Sequence, residues 1–344
     1  MKILVVNNIV PFLRGGAEKL AENLVRNLKR YGHDADLLRI PFRWDPVERL
    51  YDEIIACRNL RLYNVDRVIG LKFPAYLIPH AHKTMWLVHQ YRQAYDLAGT
   101  ELSNLGDDHK SENIRQCISA ADNECFAQSQ AIHTISRVVK ERLQHFNGFP
   151  AQVLHPPLDD AELFEPKATD NYVFCGGRIN LAKRQHLMIE AMRHVTSDVR
   201  LLIAGPADSA QDAQRLTDLV DRYRLHDRVQ LEIAFHDRER LADWINRSLA
   251  CACVPFDEDY GYVTLEAFYA GKPVLTTQDA GGVLDFVTDG ETGRICQPTA
   301  QSLAEGLDEL ATNHDQARHW GAAARESIHE RKINWPETVK RLVA

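Results

Sequence analysis

The stretch that most constrains this chain runs from Ser248 to Thr276. It opens on an apolar run, SLACACVPF (Ser248 to Phe256), short and β-favouring, with Pro255 near its end. Gly261 turns the backbone. From Val263 a helical pattern follows, with Leu265, Phe268 and Tyr269 on one side, until Gly271 and Pro273 supply the stop signals. A second apolar run, PVLT (Pro273 to Thr276), reads as the next strand. The pattern places Glu258 on a loop at a strand's carboxyl end and Glu266 in the first turns of a helix.

That placement has chemical consequences. The amides of Gly261, Tyr262, Val263, Thr264 and Leu265 stand at a helix N-terminus, where unpaired donors and the helix dipole attract anions, phosphates above all. Glu266 cannot hold a phosphate by charge, but a carboxylate is a good bidentate acceptor for the two hydroxyls of a ribose. Glu258, ahead of the turn, faces whatever hangs from the other end of a diphosphate. Sugar near Glu258, phosphates on the amides and ribose on Glu266 together describe a nucleotide-sugar.

At these residues the sequence resembles the retaining glycosyltransferases of family four, which have the GT-B fold and a Glu-x7-Glu signature followed by Ala and Gly-Lys-Pro-Val. Glu258, Gly261, Leu265, Glu266, Ala267, Gly271, Lys272, Pro273 and Val274 stand in that pattern. The resemblance implies an α/β chain of two Rossmann-like domains whose parallel sheets face each other across a cleft. It covers nearly the whole chain and is stronger in the second half.

Size agrees with two domains, since 344 residues exceed one ordinary core. The expected division is an acceptor-side domain over 1–166, a nucleotide-sugar domain over 167–331, and a tail helix over 332–344 that crosses back to the first domain. A formal net charge of −7, with Lys and Arg spread along the chain, argues against nucleic acid as a partner. The seven cysteines show no Cys-x-x-Cys or paired Cys/His spacing, which suits a reduced cytoplasmic protein with buried thiols. MKILVVNNIV is too short for a membrane span and lacks a signal-peptide cleavage site, so it reads as a first strand.

In the first half, Ile3 to Val6 runs through Arg14, Gly15 and Gly16 into an amphipathic helix over Ala17 to Tyr31, and Ala35 to Ile40 completes a β-α-β unit. Gly15 and Gly16 allow close backbone approach to a ligand at a helix start. In the resembled family a Gly-Gly here lies near phosphate and acceptor. No Gly-x-Gly-x-x-Gly follows strand one, which removes the dinucleotide fingerprint of an NAD-dependent dehydrogenase. His89 ends the strand TMWLVH, where open α/β sheets place ligand groups, and the resemblance implies that it lies against the donor sugar. His80, His82 and His89 lack the spacing of a metal site. Gln90 to Asp108, with Tyr91, Arg92 and Tyr95, is expected as an acceptor-facing flap or as an ordinary exposed helix and loop.

In the second half, YVFC (Tyr172 to Cys175) begins a new sheet and leads into Gly176, Gly177, Arg178 and Lys183. The resemblance implies that Arg178 and Lys183 grip the donor diphosphate; fixed cations there lower the barrier as negative charge builds on the leaving group. Val229 to Phe235 is expected as a strand, with Phe235 and His236 near the nucleobase. His236 stands where the family commonly has glycine, and Asp285 where it has glutamate. Gly281 and Gly282 would let a loop pass near the sugar.

The implied reaction moves a hexosyl unit from a UDP- or GDP-sugar to an acceptor hydroxyl of a saccharide or lipid-linked partner, with retained configuration. Bacterial surface polysaccharide or glycolipid synthesis, and a place in the cytoplasm or at the inner membrane face, accompany that resemblance. No cofactor or metal is expected. Asp257-Glu258-Asp259 has the look of an Asp-x-Asp metal motif, but it leads into a helix carrying a second glutamate, and two cations already answer the phosphates. A sugar-nucleotide epimerase or hydrolase and a non-catalytic sugar-binding protein remain as alternatives.

Overall fold

Strands rich in Val, Ile and Leu on both faces must be covered on both faces, and alternation with amphipathic helices supplies that cover. The computed structural model describes residues 1–12 and 15–344, and it divides into two units. One comprises Met1–Pro157 with Ile333–Ala344, the other Leu158–Lys332.

The first unit holds six parallel strands, β1 (Lys2–Ile9), β2 (Asp34–Pro41), β3 (Arg67–Lys72), β4 (Lys83–His89), β5 (Ala131–Thr134) and β6 (Gln152–Val153), in the order β2-β1-β3-β4-β5-β6. Its first helix, Gly16–Arg30, buries Leu20, Leu24 and Leu28, one side chain per turn. Tyr91 and Tyr95, placed by the flap reading on an acceptor-facing surface, are core residues instead. The Tyr95 and Tyr76 hydroxyls donate to opposite oxygens of fully buried Asp122, at 2.8 and 2.9 Å. Burial pushes the Asp122 carboxyl up to about 7 while the two hydroxyls work against that rise. The closing helix, Trp335–Val343, packs in this unit: Trp335 meets Trp86 edge to face at 6.3 Å, and Arg67 Nη1 donates to the Ala344 carbonyl at 2.8 Å.

The second unit has β7 (Tyr172–Gly176), β8 (Arg200–Ala204), β9 (Val229–Glu232), β10 (Ala250–Ala252), β11 (Val274–Thr277) and β12 (Gly293–Cys296), ordered β12-β11-β10-β7-β8-β9. Every pairing is parallel. The order reverses between β7 and β10, and this crevice is where a doubly wound sheet takes its ligand. Val173, Leu201, Ile203 and Ala250 pack against Met188, Leu216, Leu303 and Leu307 of the covering helices in one continuous core.

Residues 158–166 belong to this second unit rather than the first, so the division lies nine residues before the expected one. Local bonds hold them there. Asp160 takes a two-pronged bond from Arg238 at 2.8 and 3.0 Å, and the Glu165 amide donates to Asn246 at 3.0 Å.

Candidate functional site

At the reversal point of the second sheet the structure brings together Arg178, Lys183 and Glu258. β7 delivers Arg178 and Lys183, and β10 delivers Glu258. Lys183 Nζ lies 2.6 Å from Glu258 Oε2, with both side chains about a quarter exposed, 28% and 26%. Burial works against the ammonium, but the facing Glu258 charge outweighs it, and Lys183 titrates above the ordinary lysine value. Asn180 caps the intervening turn, its side-chain oxygen accepting from the Lys183 amide at 2.9 Å. Arg178 reaches both oxygens of Asp208 at 3.0 and 3.1 Å, and Asp208 also accepts from Asn180 at 2.8 Å. The two cations are close enough for Arg178 to act on the Lys183 titration.

Glu258 is held by its backbone. Its amide donates to Ala280 at 3.2 Å, and its carbonyl accepts from Gly282 at 2.6 Å. Gly281 between them has φ +67°, and a Cβ there would stand 2.4 Å from the Glu258 carbonyl oxygen. Only glycine fits at this close approach of the loop to the Glu258 backbone. Cys253, just past β10, lies beside the pair; burial pushes its thiol up to about 11, against the pull of Lys183.

The helix after the turn spans Tyr262–Tyr269, with Gly261 in the left-handed region at its N-cap, no side-chain cap and no acid in its first turn. The five-amide cradle expected at this end is smaller than the sequence suggested. The Thr264 amide donates to the Gly261 carbonyl at 3.0 Å, and Leu265 is the fourth helical residue, where the intrahelical ladder begins. Gly261, Tyr262 and Val263 remain as the ligand-facing amides of the reading.

Glu266 is only 7% exposed and is not alone: Arg238 Nη1 lies 2.6 Å from its Oε1. Arg238 also forks onto Asp160 and stacks over the Phe164 ring at 4.9 Å. Burial works against its charge, but Glu266 and Asp160 hold its titration above the ordinary arginine value. A buried carboxylate demands such a partner. No signal in the local sequence singles out Arg238, because it sits on the helix Arg238–Arg247, 28 positions from Glu266.

The strand before Phe235 and His236 is shorter than expected. β9 stops at Glu232, three residues before the expected end, because the Ala234 amide turns back to the Glu232 carbonyl at 2.9 Å. Phe235 is 80% exposed, while His236 bonds the Glu232 carbonyl at 3.2 Å and packs edge-on to Trp244 at 4.9 Å. Phe235 thus presents an aromatic face, and His236 is occupied within the unit.

The remaining predicted residues belong to the first unit. His89 ends β4 in register with Lys72 of β3. Its Nδ1 lies 2.6 Å from the Gln90 carbonyl oxygen, so that nitrogen donates to the carbonyl. Gly15 caps the helix Gly16–Arg30 in an extended conformation, and its amide donates to Glu18 Oε2 at 2.8 Å. Glu18 Oε1 faces Lys72 Nζ at 3.6 Å. Arg14 lies outside the described residues. Among those described, no helix is long and apolar enough to cross a membrane.

Residues 160–327 match the family model for glycosyl transferases group 1. The matched span contains Arg178, Lys183, Arg238, Glu258 and Glu266. Over 142 residues the chain is 28% identical to the alpha-1,3/1,6-mannosyltransferase ALG2 of Dictyostelium discoideum, covering 39% of this chain and 33% of that protein. It spans between a third and two thirds of the length of the mannosyltransferases and inositol-phosphate glycosyltransferases it matches. Sucrose-phosphate synthase from Thermosynechococcus elongatus shares the fold with a TM-score of 0.80 at 18% identity, over 99% of this chain and 96% of that one. Anabaena HepE in complex with UDP-glucose gives 0.73 at 17% identity, over 99% and 98%. The fold is GT-B, built from two Rossmann-like units. The sequence matches are thus to glycosyltransferases, and the family-model match falls within the second unit.

Proposed function

We propose that this chain is a retaining, metal-independent glycosyltransferase that moves a hexosyl unit from a nucleoside-diphosphate sugar to an acceptor hydroxyl. The observation that carries the reading is the 2.6 Å pair of Lys183 and Glu258 at the reversal point of the second sheet, ahead of an uncapped helix N-terminus. HepE, which shares the fold, was solved with UDP-glucose, in keeping with a UDP-sugar donor.

The diphosphate would lie on Lys183, Arg178 and the Gly261 to Val263 amides, the ribose on Glu266, and the base near Phe235. In the reaction the bond from the anomeric carbon to the β-phosphate oxygen breaks, and the electron pair leaves with the nucleoside diphosphate. The acceptor oxygen bonds to the same face of that carbon, and its proton passes to the departing phosphate. No protein nucleophile takes part. Two cations and oriented amides stabilise the charge that develops, the term on which such catalysis chiefly depends. Glu258 would fix the sugar. The acceptor would be a saccharide or lipid-linked glycan in surface polysaccharide or glycolipid synthesis.

A panel of UDP- and GDP-hexoses, assayed for nucleoside diphosphate release with and without added acceptors, tests the reading. At least one donor should turn over with the anomeric configuration kept in the product, and excess chelator should leave the rate unchanged. Inversion of the product, or activity lost to chelator and restored by manganese, would refute the mechanism.

A further inference from the structure

Lys183 is followed by a residue in an unusual conformation. Arg184 has φ +55° and ψ +30°, the left-handed region, at the joint between the turn carrying Lys183 and the helix Gln185–Ala191. A residue with a Cβ settles there only when its surroundings compel it. The compulsion is visible. Arg184 makes a two-pronged bond to Asp279, Nη1 to Oδ1 at 2.9 Å and Nη2 to Oδ2 at 2.7 Å, and its guanidinium lies 5.0 Å from the Phe256 ring centroid.

Asp279 follows β11, at the start of the loop that reaches Gly281 and Gly282, and Phe256 leads into Glu258. Backbone bonds complete the clamp: Phe256 donates to the Ala182 carbonyl at 2.8 Å, Asp257 to Asp279 at 2.8 Å, and Glu258 to Ala280 at 3.2 Å. Three segments are thereby tied together, 180–184, 256–258 and 279–282. The Lys183 ammonium and the Glu258 carboxylate project from the first two. The Asp279 carboxyl titrates below its ordinary value, since the Arg184 bonds outweigh the opposing effect of burial.

The geometry points to Arg184 and Asp279 as positioning residues, a fork that sets the placement of Lys183 against Glu258 and so preorganises the diphosphate-binding charge. The role in turnover rests on the proposed glycosyl transfer; the placement of Lys183 does not. A fork of this kind requires arginine, because lysine offers one charge centre without the planar pair of donors.

Arg184→Gly suits the test, because glycine accepts the left-handed backbone without strain and spares the fold. Asp279→Asn, which keeps shape and removes charge, is the second variant. Two readouts are taken on each: donor KM and kcat for nucleoside diphosphate release, and acylation of Lys183 by an amine-reactive ester, quantified by peptide mass spectrometry. Both variants should lower kcat about 10-fold or more, move donor KM less than 3-fold, and raise Lys183 acylation several-fold, with other lysines unchanged. A purely structural fork would lower the melting temperature and leave kcat and Lys183 acylation alone, which overturns the inference. If the wild type releases no nucleoside diphosphate from any donor, the transferase reading fails by itself. The labelling then still decides: raised acylation upholds the placement, and unchanged acylation overturns it.

Discussion

The two units each begin a helix on glycine at the carboxyl edge of a parallel sheet, and they treat that helix end in opposite ways. In the first unit Glu18, third residue of its helix, bends back and accepts from the Gly15 amide, the one half of a capping box that a glycine cap allows. The positive end of that helix is answered from within. In the second unit the helix from Tyr262 has no cap and no acid in its first turn, and its carboxylate, Glu266, comes in the second turn, bound to Arg238. The difference teaches where an anion can be held. A glycine pair before a helix marks close approach, but the position of the first acid decides whether the donors are spent or offered.

Removing the cation beside the open end is the largest expected perturbation. Lys183→Ala should lower kcat for nucleoside diphosphate release by about 100-fold to 1000-fold, the scale of losing one preorganised charge-stabilising group. Steady-state assays with the best donor check this; a loss confined to KM would make Lys183 a donor-binding group with no share in stabilising the leaving charge.

Adding a methyl group at each helix start sharpens the comparison. Gly261 has φ +81°, and a Cβ there would meet Val283 Cγ2 at 2.7 Å, whereas Gly15 has φ −138°. Gly261→Ala should cost about 2 to 3 kcal/mol of stability and Gly15→Ala well under 1 kcal/mol. Denaturant titration of both variants reads the difference, and equal losses would remove the distinction.

Acid distinguishes the units again. The site carboxylates Glu258, Glu266, Asp208 and Asp279 each face a cation, while Asp122 of the first unit meets only tyrosine hydroxyls. Its folded titration near 7 lies above the unfolded value near 4. An acid raised on folding weakens the fold when ionised, so stability should increase as pH falls from 7 to 5, by about 2 kcal/mol. Asp122→Asn should abolish most of that gain. Chemical denaturation at the two pH values checks it.

The smallest effect is expected from Glu18→Gln, which removes the charge that answers the first helix and faces Lys72. Stability should change by about 0.5 to 1 kcal/mol, with kcat unaltered. A marked loss of turnover would show that Glu18 does more than cap.

Much of this architecture was legible because its signals are local. The closing helix Trp335–Val343 lies inside the expected tail, and β7 and the Gly261 turn begin where the sequence pattern puts them. The helix Arg49–Asn59 escaped notice because only Leu50, Ile54 and Cys57 mark its buried face. β12 escaped because GRIC offers no alternation. The expected nine-residue strand at Ser248 to Phe256 shrinks to three paired residues, since from Cys253 the chain leaves the β7 partner to build the site loop. The sequence singles out Glu258 through the strand end and glycine turn beside it, and Lys183 and Arg178 through the family resemblance. Asp208, 30 positions from Arg178, and the Arg184–Asp279 pair, 95 positions apart, carry no such signal. Such pairings depend on strand order, which one sequence does not display.

A crystal structure of the chain with bound UDP tests the central claim most directly. The account predicts phosphates within hydrogen-bonding distance of Lys183, Arg178 and the Tyr262 and Val263 amides, with the ribose hydroxyls on Glu266. Phosphates seated instead on the Gly15 end of the first helix, or Lys183 and Arg178 turned away from them, would contradict it.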